Sequence, residues 1–417
     1  MKEGVSMVLK NIRFVSEKED KVCDIQLNED KDVVIDGSKL IAIPGLVDMH
    51  CHLRDPGFEY KEDIESGVKA AAKGGFTKIA CMPNTKPVTD NAAVVSYIKE
   101  KADNLNSVKV YPIGAISKNL EGVELAEIGD MRAHGAVAIS DDGNPVMSSS
   151  LMKKAMIYAQ SFNIPVISHC EDKDLAEDGS MNEGYVSTVL GLRGIPKAAE
   201  EVMVARDIIL AEYTKLPIHI AHVSTKLAVD LIREAKKRGV IVTCETCPHY
   251  FSLTDEAVYG FNTYAKVNPP LREKEDVQAI IQGLKDGTID VIATDHAPHH
   301  EDEKRVEFAL AANGISGFEM AFSLSYTYLV KPGHLTLGEL VEKLSINPQN
   351  ILGISDETLN LTIFDPESKV VVDPKAFLSK GKNTPFGGFE LFGEVMYTVV
   401  DGRIVYVNDK VKDDKYE

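Results

Sequence analysis

Ile43-Pro44-Gly45-Leu46-Val47-Asp48-Met49-His50-Cys51-His52-Leu53-Arg54-Asp55 is an apolar run that ends abruptly in polar side chains able to bind metals and anions. Such a run predicts a strand covered on both faces, as in a parallel sheet flanked by helices. The pattern recurs: strands are predicted over 43–52, 76–82, 108–113, 135–140, 164–169, 217–222, 240–244 and 289–294, eight in all. Segments with helical apolar spacing separate them at 64–72, 94–102, 151–162, 198–213, 227–237 and 277–284. Eight strand–helix units close into a TIM-like (β/α)8 barrel, an α/β fold.

Short β-like runs at 7–14 and 33–35 precede the barrel. Two helical stretches, 337–344 and 348–352, follow the last unit, and the chain returns to strands from 361 through 407. The expected organisation is a small β domain built from both ends of the chain, 1–42 and 361–417, around a barrel spanning 43–360. The last residues, 409–417, read as a charged, frayed tail.

With 417 residues, 44% of them hydrophobic, the chain can bury a large core and is too apolar to be disordered. The formal net charge of -18 repels phosphate backbones and acidic membrane surfaces, so neither nucleic acid nor membrane is an expected partner. A small anionic substrate binds only where metal ions and a few placed cations reverse that potential locally. No apolar run approaches the roughly 20 residues of a membrane span. The six scattered cysteines and the lack of a basic, then apolar, N-terminal signal predict a reduced, cytoplasmic protein.

In a βα barrel the chemistry sits where strands end. Here those ends carry His50 and His52, Asn84, Asp141 and Asp142, His169, His222, and Asp295 with His296 and His299. Alternation along a strand puts His50 and His52 on one face and Cys51 on the other. The same parity favours Asp142 over Asp141 as the inward carboxylate. A lone His-x-His or a single strand-end histidine is usually structural; ligand-type residues closing five separate strands are not explained that way. Four histidines and two carboxylates supply ligands suited to zinc, either one ion or two bridged by Asp142, with two favoured.

Other motifs read as structural. Cys244-Glu245-Thr246-Cys247 has metal-ribbon spacing but no second pair, which favours core packing. His219 reads as structural, and His300-Glu301-Asp302-Glu303 as a solvated loop face, with 300–313 a candidate lid after strand eight. Glycine-rich phosphate loops and a Gly-x-Ser-x-Gly elbow are absent, which removes most nucleotide-binding and serine-hydrolase classes.

The motifs Asp48-Met49-His50-Cys51-His52-Leu53-Arg54-Asp55-Pro56-Gly57, Met82-Pro83-Asn84-Thr85, Ser140-Asp141-Asp142-Gly143, His169-Cys170-Glu171, His222-Val223-Ser224-Thr225, Val267-Asn268-Pro269-Pro270-Leu271-Arg272 and Ala293-Thr294-Asp295-His296-Ala297-Pro298-His299 resemble those of the amidohydrolase superfamily, and closely the bacterial class I dihydroorotases. The resemblance runs from about residue 43 to Asn383-Thr384-Pro385. It implies zinc-dependent, reversible cyclisation of N-carbamoyl-L-aspartate to L-dihydroorotate in pyrimidine biosynthesis. By it, His50, His52 and Asp295 bind one zinc, His169 and His222 the other, and Asp142 bridges them.

The same resemblance assigns Asp295 as the catalytic proton shuttle. It assigns Arg54, Asn84 and His299 to the substrate carboxylate, with His52, Asn268, Asn313 and Gly314 also against the substrate. The family's usual Pro-Phe-Gly is replaced here by Ala312-Asn313-Gly314. Hydantoinases and allantoinases share the barrel, but resemble one another in bridging their metals with a carboxylated lysine, and no lysine lies near the end of strand four here. A silent scaffold for aspartate transcarbamoylase is the non-enzymatic alternative; such proteins typically lose ligands that this chain keeps. A homodimer and an aspartate transcarbamoylase complex are the protein partners the resemblance suggests.

Overall fold

Strands β1 (Met7–Val15), β2 (Asp20–Leu27), β3 (Val33–Asp36) and β4 (Ile41–Pro44) open a computed structural model that describes residues 7–27, 33–354 and 358–412. The barrel follows as β5 (Leu46–Cys51), β6 (Phe76–Cys81), β7 (Lys109–Gly114), β8 (Ala138–Ser140) and β9 (Val166–Ser168). After a small parallel pair, β10 (Met181–Asn182) and β11 (Gly194–Ile195), it continues with β12 (Ile218–Ile220), β13 (Val242–Thr246) and β14 (Val291–Ile292). These eight strands form one parallel sheet in the order β14-β13-β12-β9-β8-β7-β6-β5. The expected TIM-like barrel is therefore observed.

Side-chain and backbone hydrogen bonds complete the closure between β5 and β14. Asp48 accepts from Thr294 N at 3.0 Å and Thr294 Oγ1 at 2.6 Å, and the His52 amide donates to His296 O at 2.8 Å. Inside the barrel Val47, Met49, Ala80, Met82, Ile113, Ile167, Val291 and Ala293 pack together. Ile79, Ile139, Val166, Ile220 and Ile292 face outward into the larger core beneath the helices. A filled lumen leaves only the strand ends free to build a site.

The two ends of the chain meet in one further sheet. Strands β15 (Leu361–Val371), β16 (Glu390–Val400) and β17 (Arg403–Val407) extend it in the order β17-β16-β15-β4-β1-β2, with β3 on β1. The seam is the antiparallel pairing of β4 with β15. Thr362 Oγ1 pins this sheet to the barrel by donating to Gly75 O at 2.6 Å. Of the predicted tail, residues 409–412 form a short helix, and 413–417 lie outside the described residues.

Candidate active site and metal centre

Four imidazoles from three barrel strands converge on one carboxylate. Asp142, just beyond β8, places Oδ1 3.4 Å from His50 Nε2, 3.4 Å from His169 Nδ1 and 3.3 Å from His222 Nε2. Its Oδ2 lies 3.4 Å from His52 Nε2. Asp295, past the end of β14, puts Oδ1 3.1 Å from His52 Nε2 and 3.6 Å from His50 Nε2. All six side chains are buried. Asp141 instead turns away to accept from the Ile116 and Ser117 amides.

The alternation argument applies only loosely at β5, because its ladder with β6 shifts register between Asp48 and Cys51 and His52 lies past the strand end. Both imidazoles nevertheless face Asp142, while Cys51 Sγ points to Ala80 O. Arg54, His222 and Asp295 have left-handed backbones, with φ of 62°, 32° and 44°. Such conformations cost non-glycine residues energy and concentrate where a site dictates side-chain direction.

For three of the four imidazoles a neighbour fixes which nitrogen faces the centre. His50 Nδ1–H donates to Glu245 Oε1 at 2.5 Å, His52 Nδ1–H to Asn84 Oδ1 at 2.9 Å, and His169 Nε2 faces Glu171 Oε2 at 3.4 Å. The opposite nitrogens then present lone pairs to Asp142, the arrangement that metal-binding histidines use. His50 Nε2, fully buried, has no hydrogen-bond partner. His169 Nδ1 and His222 Nε2 face each other at 2.8 Å. An orphaned buried nitrogen and crowded imidazole and carboxylate donors fit a divalent cation. Burial disfavours positive charge at His169, yet Asp142 and Glu171 raise it to about 10.

Ligand atoms of His50, His52 and Asp142 lie within 4.8 Å of one another, as do those of Asp142, His169 and His222, so Asp142 belongs to both groups. Cys247, His249 and Asp295 make a third group. Burial pushes the Cys247 thiol well up, which keeps it neutral beside Asp295.

Glu245 is the functional residue that sequence reasoning missed. Val242 and Cys244 face the outer core, so the alternation of β13 turns Thr243 and Glu245 inward. His219, read as structural, holds Glu245 from the other side: its Nδ1 meets Thr243 Oγ1 at 2.8 Å and its Nε2 lies 3.3 Å from Glu245 Oε2. Burial would raise Glu245, but His50 and His219 hold it well below the usual carboxylate range. A carboxylate inside an apolar strand was the available signal.

A cavity of about 210 Å³ opens on the cluster and is lined by Arg54, Asn84, Asn268, His299, Asn313 and Gly314 together with His52, Asp142, His169, His222 and Asp295. Arg54 is half-buried, donates Nε to Pro298 O at 3.3 Å, and has no carboxylate in ion-pair reach among the described residues. Burial lowers its pKa, a sign of a cation short of compensation. Asn84 spends Oδ1 on His52, which leaves its amide N–H groups for a ligand. His299 is neutral, lowered by burial to about 4, and its Nε2–H donates to Asn313 O at 2.8 Å. Asn268 Nδ2 donates to Glu171 at 3.0 Å, and the Gly314 amide to Lys266 O at 2.9 Å. Of the candidate lid, 301–304 form a short helix packed on this side.

Residues 38–228 match a family model described as Dihydro-orotase-like. A dihydroorotase of Acetivibrio thermocellus is 66% identical over 394 residues, covering 93% of this chain and 92% of that one. The chain belongs to the dihydroorotase family. Another family member, from Ruminiclostridium cellulolyticum, is 64% identical over 88% of both chains. Among solved structures, the L-hydantoinase (dihydropyrimidinase) of Arthrobacter aurescens superposes with a TM-score of 0.86 at 25% identity over 96% of both chains. The dihydropyrimidinase of Brevibacillus agri gives 0.82 at 21% identity, covering 97% of this chain and 95% of that one. Family membership thus comes with a fold shared with a hydantoinase and a dihydropyrimidinase. Among the described residues no helix is long and apolar enough to cross a membrane.

Proposed function

We propose that the chain is a class I dihydroorotase that interconverts N-carbamoyl-L-aspartate and L-dihydroorotate in pyrimidine biosynthesis. The observation that carries this is Arg54, a half-buried arginine without a carboxylate of its own, in the same cavity as the histidine–aspartate cluster. A guanidinium so placed suits a substrate carboxylate held beside the reacting amide. Hydantoin carries no such carboxylate.

In this reading His50, His52 and Asp295 would hold one zinc, His169 and His222 a second, and Asp142 would serve both, since it belongs to both ligand groups. Zinc there would polarise the ring carbonyl and bring the pKa of water towards neutrality. The chain's own residues do the rest. Arg54 and the Asn84 amide hold the substrate carboxylate, and His299, its ring fixed in the cavity wall by the Asn313 carbonyl, joins them. Asn268 and the 313–314 segment border the ring; the Gly314 amide is committed to Lys266 O and the Gly314 carbonyl to Asn383 Nδ2. Asp295 takes the proton released by the attacking water and returns it to the departing ring nitrogen.

Zinc-loaded protein is expected to cyclise carbamoyl-aspartate at mildly acidic pH and to open dihydroorotate at alkaline pH. A higher kcat/KM on hydantoin or allantoin would reverse the assignment, and no turnover in either direction would leave a scaffold. Because β4 runs to Pro44 within the terminal sheet, the N-terminal boundary expected at 42/43 moves to Gly45, while 360/361 stands at the start of β15; a reducing cytoplasmic setting in keeping with six free cysteines, and a homodimer or an aspartate transcarbamoylase assembly, complete the proposal. Light scattering of the protein alone and mixed with a transcarbamoylase tests the last of these.

Glu245→Gln should weaken zinc binding by about 10- to 100-fold, because the acceptor that fixes the His50 ring loses its charge. Chelator competition measures it; unchanged affinity would reduce Glu245 to a packing residue.

A further inference from the structure

Lys304 is 1% exposed, yet its ammonium faces no carboxylate in ion-pair reach among the described residues. Instead Nζ donates to three backbone carbonyls: Thr263 O at 3.1 Å, Lys266 O at 3.2 Å and Ala312 O at 2.6 Å. That uses all three protons. A buried cation is costly and a methionine would fill the same space, so packing alone does not account for it.

The three carbonyls belong to two loops that border the cavity. Lys266 precedes Val267 and Asn268, and Ala312 precedes Asn313 and Gly314, four residues that line it. Further bonds fasten the same two loops. The Gly314 amide donates to Lys266 O at 2.9 Å, Lys266 Nζ to Ala309 O at 2.8 Å, and Thr263 Oγ1 to Lys304 O at 2.6 Å. The Asn313 carbonyl, next to the Lys304-bound Ala312, holds His299. None of these groups touches Asp142, Asp295 or the four clustered histidines.

We infer that Lys304 is a positioning residue for substrate recognition: its ammonium ties the 263–268 and 301–314 loops together and presets Asn268, Asn313, Gly314 and His299 for the ring and carboxylate. This rests on the dihydroorotase assignment for its substrate and on the hydrogen-bond network for its mechanism. Preordering loops lowers the cost of binding rather than the barrier to chemistry, so the effect belongs in KM.

The charged or titratable groups facing Lys304 are Lys266, which disfavours its charge, Glu303, which favours it, and His299 beside them. Burial brings the ammonium down to about 7. The tether is thus complete below that pH and weakens as pH rises through it.

The test compares zinc-loaded wild type, Lys304→Met and Lys304→Gln, the last retaining a shorter, uncharged donor in case the methionine variant does not fold. At about pH 6 the expected result is a KM for dihydroorotate roughly tenfold higher in Lys304→Met, intermediate in Lys304→Gln. Expected alongside are kcat within about threefold, unchanged zinc content, and a KM gap that narrows towards about pH 9. Amide hydrogen exchange, which needs no turnover, should quicken at 309–314 in both variants. Equal KM with unchanged exchange, or a loss confined to kcat, overturns the inference. An inactive wild type with faster exchange in the variants defeats the assigned reaction instead and leaves the tether standing.

Discussion

Asp295→Asn is expected to retain zinc and to lose about 10³-fold in kcat, within the range set by removing a positioned proton carrier. Asparagine matches aspartate in shape and keeps an oxygen that can face His52, where Oδ1 now lies 3.1 Å from Nε2. What it cannot do is accept a proton. Burial would raise the Asp295 pKa, but His52 and His50 draw it below the ordinary value, so the native side chain is a carboxylate across the working range. Its left-handed backbone, φ 44°, aims the side chain into the cavity from beyond β14. Metal analysis beside steady-state kinetics separates the two roles: lost zinc would make Asp295 chiefly a ligand, and activity within tenfold of wild type would remove it as the shuttle.

Much of this site was legible because barrels confine chemistry to strand ends, and there the sequence changes abruptly from apolar to ligand-type residues. His50, His52, Asp142, His169, His222 and Asp295 could be named from their positions alone, although the ladders of β8, β9, β12 and β14 are only two or three residues long. Residues acting through others were harder to see. Glu245 and His219 lie on adjacent barrel strands, β13 and β12, and their meaning depends on a lumen contact with His50 that no local pattern encodes.

Strand β2 was missed for a different reason. Asp-Lys-Val-Cys-Asp-Ile-Gln-Leu is largely exposed, so it carries little hydrophobic alternation and becomes a strand by pairing with β1. Lys304 illustrates the limit most plainly: beside His300-Glu301-Asp302-Glu303 it reads as one more solvated charge, and only the fold reveals three carbonyls around it.

Arg54→Met should lower kcat/KM for dihydroorotate by on the order of 10²-fold or more, chiefly through KM, as expected when one partner of a desolvated charge pair is truncated. The native guanidinium is held by a left-handed backbone, φ 62°, and by Pro298 O, so it is aimed before any substrate arrives. In a chain of net charge -18, a fixed cation of this kind is needed to offset the overall repulsion of an anionic substrate. Arg54→Lys restores the charge without the planar fork and should recover only part of the loss. Hydantoin, lacking the carboxylate, offers the decisive contrast: any turnover of it should be nearly indifferent to either substitution, because Arg54 has nothing to grip. If both substrates lost activity equally, Arg54 would be supporting the cavity wall, and the carboxylate would have to be bound elsewhere.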